Sequence, residues 1–194
     1  MKDIGKFIVI YGPNNIGKST QVKLLADSLK KQGKKVKVIK YPIYDLEPTG
    51  PLANKILRQN YKLPELDAQR IFAQNRRDYE PILIKTLQEG TWVIAEDYKG
   101  TGIAWGMVRG VPLEDLEKIN SGLLNEDIAI SLDGERFLEA VEKNHINEDS
   151  DLWSVGRNVH LQLAKRYGWT IVNANQSIEL VNRNILEAVK SALL

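Results

Sequence analysis

The sequence predicts an α/β domain: a mostly parallel five-stranded sheet as the middle of three layers, with helices on both faces. Three observations predict it. Short apolar runs rich in β-branched residues alternate with longer stretches of helical period. The first such run leads directly into a glycine-bounded loop and an amphipathic helix, the order expected of a strand-loop-helix phosphate site. The 194 residues, 43% hydrophobic and 27% charged, suit a single compact domain over 1–194 with a real core.

Taken in order, "KFIVIY", "VKVIKY", "TWVIAE", "DIAISLD" and "WTIVNA" read as strands, each apolar enough to be buried on both faces. Between the first two, Val22, Leu25 and Leu29 recur at helical spacing, and Gly33 follows as a C-terminal cap before the crossover to a parallel strand. "LDAQRIFAQNRRDYEPILIKTLQEG" predicts a long helix ending at Gly90, with a kink at Pro81. "GERFLEAVEKN", "LWSVGRNVHLQLAKRYG" and "SIELVNRNILEAVKSALL" predict later helices. The polar stretch "KNHINEDSD" between two of them is a candidate lid, taken as 143–156, or a solvated loop. No internal repeat, low-complexity tract or Gly/Ser linker interrupts this order.

Composition narrows the chemistry. No run of about 18 apolar residues exists and the N-terminus lacks the zones of a signal peptide, so no membrane partner and a cytoplasmic location are expected. With no cysteine, thiolate metal sites and cysteine nucleophiles are excluded, and His145 and His160 are too few for a metal cage. A formal charge of +2 without a long basic run argues against a nucleic-acid partner and for a small phosphorylated ligand. "YGPNNIGKST" then says how such a ligand would be gripped. Gly12, Gly17, Lys18 and Ser19 match G-x-x-x-x-G-K-S/T between a buried strand and an amphipathic helix. Backbone N–H groups of Asn14, Asn15, Ile16, Gly17 and Thr20 would face phosphate oxygens at a helix N-terminus, Lys18 would reach the β and γ phosphates, and the Ser19 hydroxyl would ligate Mg²⁺. ATP with Mg²⁺ is the expected pair.

That loop, the later "IFAQNRRDYEPILIKTLQEGTWVIAEDY", the following "GTGIAWG" and "IVNANQSIELVNRNI" resemble, in order and spacing, segments of thymidylate kinases. The resemblance implies the P-loop kinase fold, transfer of the γ-phosphoryl group of ATP to deoxythymidine monophosphate, nucleotide substrates and a homodimer. It also implies that Phe72 and Arg76 hold the thymine ring by stacking and hydrogen bonding; their i, i+4 spacing puts both on one helical face. Tyr98 and Thr101 fit the family's D-R-Y-x-x-S-x-x-A-Y segment, Trp105 takes the place of the aromatic lying against the sugar, and Ala174, Asn175 and Gln176 fall beside adenine.

Departures cluster on the acceptor side. The family's F-P-x-R arginine is replaced by Tyr44, its D-R-Y arginine by Asp97, and the loop holds no transition-state arginine, while the lid stretch offers Lys143 and His145 with Arg157 beyond. A phosphate dianion beside Glu96 and Asp97 would be repelled unless Mg²⁺ or Lys99 intervenes. Glu96, at the position of the family's aspartate, is expected to order the metal's water shell, and Asp97, by strand alternation, to point away, toward the acceptor end or into a hydrogen-bond network. Lys18, Glu96 and Asp97 are therefore the candidate catalytic residues. Two alternatives remain: a deoxynucleoside kinase, for which a carboxylate such as Glu96 would be the general base, and a nucleotide-binding protein without turnover.

Overall fold

The computed structural model describes residues 4–140, 145–146 and 150–193. Five strands, β1 (Phe7–Tyr11), β2 (Val36–Lys40), β3 (Trp92–Glu96), β4 (Ile128–Asp133) and β5 (Thr170–Asn173), form one sheet in the order β2-β3-β1-β4-β5. Every pairing is parallel. The helices are α1 (Lys18–Lys31), α2 (Thr49–Arg58), α3 (Glu65–Gln88), α4 (Lys99–Val108), α5 (Leu113–Ile119), α6 (Ser150–Tyr167) and α7 (Ile178–Leu193).

Strand alternation sorts the core into two layers. Phe7, Val9 and Tyr11 pack with Tyr79 and Leu83 of α3, Ile103 of α4 and Leu163 of α6 on one face. Ile8 and Ile10 pack with Val22, Leu25 and Leu29 of α1 and with Val181, Ile185 and Val189 of α7 on the other. A satellite cluster joins Ala53, Ile56 and Leu57 of α2 to Ala68 and Phe72 of α3. The central strands β1 and β3 are buried throughout.

The edge strands correct the expectation that every strand is buried on both faces. Only Ile39 of β2 and Val172 of β5 are buried, because each edge strand is covered on one side and open along its outer rim. α3 runs through Pro81 as one helix. The helix expected over 134–144 is, among the described residues, a single 3₁₀ turn at Leu138–Ala140. Of the candidate lid, Lys143 lies outside the described residues, while 150–156 form the first turns of α6.

Candidate active site

The C-terminal ends of β1, β3 and β2 open into a cleft of about 770 Å³, the crevice where parallel α/β sheets bind ligands. Its donor end is the loop after β1. Gly17, at φ 88°, occupies the N-cap of α1, where no side chain caps the first turn and no acidic residue lies within it. The first-turn N–H groups are thus left for an external acceptor. Gly12 sits at φ 135°, and a Cβ there would lie 2.8 Å from the Leu132 carbonyl oxygen, so only glycine lets the loop leave β1 at this angle. Lys18 is buried and its ammonium donates to the carbonyls of Gly12 (2.7 Å) and Pro13 (2.9 Å) of its own loop, the arrangement of a cation held where phosphate oxygens would come. The loop is braced from outside: the Trp153 indole donates to the Asn14 carbonyl (2.6 Å) and the Phe137 amide to the Asn15 carbonyl (2.8 Å).

Two carboxylates stand at the middle of the cleft. Glu96 ends β3 in register with Ile10 of β1 and with Lys40 of β2. Lys40 reaches its Oε1 at 2.8 Å. Burial pushes the Glu96 carboxyl up, but the charges of Lys18 and Lys40, with hydrogen bonds from Lys40 and Ser19, outweigh it and hold the group below the ordinary carboxylate range. Asp97 behaves oppositely. Burial, joined by the charge of Glu96, pushes its carboxyl above the usual value despite Lys18 at 3.6 Å and a 2.8 Å hydrogen bond from Thr101. Asp97 has left the strand, with φ at 64°, so strand alternation does not set its direction; its carboxylate meets both Lys18 and the Thr101 hydroxyl. Both carboxylates line the same cleft. Lys99 faces elsewhere: it is bound to Glu126 (3.2 Å) and Asn125 in a second cavity, so it does not relieve repulsion here.

The acceptor end lies between α3 and α4. Phe72 lines the cleft while its back packs on Leu57 and Ala68. Arg76, 5% exposed, donates from Nη1 to Asn120 Oδ1 at 3.0 Å, and its Nε has no hydrogen-bond partner among the described residues. Gly102 fits against the same guanidinium. Trp105 is buried with its Nε1 likewise unpartnered among the described residues, flanked by Gly156 and by the His160 ring, the two ring centroids 6.2 Å apart in a T-shaped arrangement. The guanidinium of Arg109 lies 5.6 Å from the Trp105 ring.

Of the residues expected from sequence, Asn14 through Thr20, Tyr44, Phe72, Arg76, Glu96, Asp97, Tyr98, Thr101, Trp105, Ala174 and Gln176 converge on this one cleft. Gly12 does not line the cleft. Asn175 is turned aside, its Oδ1 accepting from the Glu135 amide at 2.7 Å. Arg157 does not reach the cleft wall; it grips Asp133 through two hydrogen bonds of 2.6 and 3.0 Å. The sequence pattern does not single out Lys40, Arg58, Gln69, Gly102 and Phe137, which also line the cleft. For Lys40, only the register of β2 on β3 carries the signal.

No group of three or more His, Cys, Asp or Glu among the described residues could bind a metal unaided. The Ser19 hydroxyl hydrogen-bonded to Glu96 nevertheless fits Mg²⁺, which takes few protein ligands and completes its shell with phosphate oxygens and water.

A family model described as thymidylate kinase matches residues 10–185. The "Probable thymidylate kinase" of Pyrococcus abyssi is 32% identical, with 98% of both chains covered. The thymidylate kinase of Nitrosospira multiformis is 26% identical over 95% of this chain and 97% of its own. A solved structure of thymidylate kinase from Candida albicans superposes with a TM-score of 0.82 at 23% identity, over 97% of this chain and 92% of that one, and speaks to the fold alone. With a family model spanning nearly the whole chain and a relative matched end to end, the chain belongs to the thymidylate kinase family.

Proposed function

We propose that the protein transfers the γ-phosphoryl group of ATP to deoxythymidine monophosphate, giving the diphosphate. The observation that carries this reading is the continuity of the cleft: a phosphate loop at one end, a base-sized slot of Phe72, Arg76 and Trp105 at the other, and Glu96 and Asp97 between them. The loop and first turn of α1 bind the donor's phosphates, and Lys18 exchanges its loop carbonyls for β and γ oxygens. Mg²⁺, when bound, neutralises the migrating group's charge; Ser19 and Glu96 are the residues that would hold it. Phe72 stacks on the base and the unpartnered donor of Arg76 is available to a base carbonyl. Ala174 and Gln176 flank the donor's adenine. The reading brings a homodimer and a cytoplasmic location with it as expectations; no described helix is long and apolar enough to cross a membrane.

One observation favours a second reading. Asp97, with its carboxyl pushed up, stands where the resemblance expects an arginine, and as a base it would suit a nucleoside 5′-hydroxyl. A screen of ATP consumption against all nucleosides and nucleoside monophosphates decides between them. Turnover with dTMP and little with thymidine is expected; the reverse would overturn the monophosphate reading.

A further inference from the structure

The four charged side chains at the middle of the cleft balance: Lys18 and Lys40 against Glu96 and Asp97. Donor phosphates engage Lys18, because its ammonium already stands inside the loop that holds them. An acceptor phosphate dianion would then meet two carboxylates and need a cation of its own. The other cations near the cleft are committed. Arg76 lies at the base end on Asn120, Arg157 is closed on Asp133, and Lys99 opens into the second cavity. Arg109 stacks on Trp105 and lies 3.7 Å from Glu65, and Arg58 lies over the Tyr44 ring, its guanidinium carbon 4.7 Å from the centroid.

Lys40 is different in position. Parallel register with β3 sets it beside Glu96, its charge acts on Glu96 and Asp97, and it lines the same cleft as Tyr44. Asp97 and Tyr44 are the two positions where the family pattern has arginines. The side chain remains 54% exposed and lines the cleft, so its head can bridge Glu96 and a further anion without being unburied. An ammonium has three donors, of which Glu96 takes one.

Resting on the monophosphate-kinase reading, we infer that Lys40 is the residue that binds the acceptor's phosphate, doing from β2 what the absent arginines would do from positions 44 and 97. It holds the dianion beside Glu96 and lets two carboxylates coexist with an anionic acceptor.

The test compares dTMP with thymidine, which differ by the phosphate alone. Binding of each is measured by calorimetry with Mg²⁺ and a non-hydrolysable ATP analogue present, in the full chain, Lys40→Met, Lys40→Arg and Arg58→Met. The unaltered protein should prefer dTMP by at least about tenfold, and Lys40→Met should reduce that preference to within about threefold while leaving thymidine binding unchanged. Lys40→Arg should restore most of the preference, and the KM for dTMP should follow it while the KM for ATP holds. A preference kept in Lys40→Met, or lost only in Arg58→Met, overturns the role of Lys40. If the unaltered protein binds thymidine as well as dTMP, the monophosphate reading itself falls, and this inference with it.

Discussion

Gly102 lies inside α4, where Ala would normally be the better helix former by about 1 kcal/mol. Here a Cβ would come within 2.6 Å of Arg76 Nη2 and 3.1 Å of Gln69 Oε1. Arg76 has no slack to retreat, being buried and tied to Asn120. Gly102→Ala should therefore leave thermal stability within a few degrees of the original, since the propensity gain offsets the local crowding, yet raise the KM for dTMP about tenfold. The KM for ATP should stay put. An unchanged dTMP KM in the folded variant would show that Arg76 can shift without loss, and that its guanidinium does not hold the base. In sequence, "GTGIAWG" points only to Thr101 and Trp105. Why Gly102 must be small depends on a neighbour 26 positions away, which no local period reveals.

Among the elements, the loop after β1 depends on the segments beyond β4. The carbonyls of Asn14 and Asn15 are held by the Trp153 indole on α6 and by the Phe137 amide, so two segments more than 120 residues distant fix the curvature of the phosphate grip. Asn15 itself stands at φ 58°, a conformation that needs such support. Trp153→Phe keeps most of the apolar contact and removes the N–H. The expected result is an ATP KM raised about three- to tenfold with dTMP binding little changed, read by steady-state kinetics with each substrate varied. Equal ATP affinity would mean the loop holds its shape alone. The same contrast between local and distant determinants explains which parts of the fold are legible in sequence. The central strands and the loop motif are local patterns: a period-free apolar run, then glycines, lysine and serine at set spacing. The edge strands look identical in sequence, because Val36, Val38 and Ile171 are as apolar as core residues although β2 and β5 have no neighbour on one side. Residues 134–144 carry a helical period, yet their described part is spent following the phosphate loop, with Phe137 bonded to Asn15. α2 and α5 are hidden in sequence because one is short and the other sits between prolines and polar turns. Lys40 becomes visible only when strand register sets it against Glu96.

On the scale of the whole molecule, the packing of α6 on α4 makes stability depend on pH. α6 and α4 meet where His160, 1% exposed, packs against Trp105 in a T-shaped pair. Its Nδ1–H donates to the Gly156 carbonyl at 2.7 Å, and its Nε2 has no partner among the described residues. Burial, helped by the charge of Lys18 and opposed by that hydrogen bond, pushes its pKa down to about 4. The sign of the effect on stability depends on which state binds the proton. Above about pH 6.5 the ring is neutral both folded and unfolded and contributes no slope. Between about 6.5 and 4 the unfolded chain takes up a proton that the folded one refuses, so stability falls as pH falls, by about 3 kcal/mol over the full window. Glu96, held low, loses its contribution only at still lower pH, and Asp97, pushed up, works in the opposite direction because its protonated form is favoured in the fold. His160 and Asp97 thus act against each other in the acidic range, and substitution isolates the His160 part. As pH is lowered from about 6.5 to 4.5, Tm measured by calorimetry should change less favourably for the unaltered protein than for His160→Leu, whatever the variant's stability at neutral pH. A variant whose Tm falls with the same slope would place the titrating group elsewhere. The folded ring stays neutral down to about pH 4, so across this interval its titration is felt by the unfolded chain and not by the slot beside Trp105. The pH dependence of the dTMP KM between about 6.5 and 4.5 should therefore be the same in the unaltered protein and in His160→Leu, while their Tm profiles differ, which separates the acid sensitivity of the fold from that of the site.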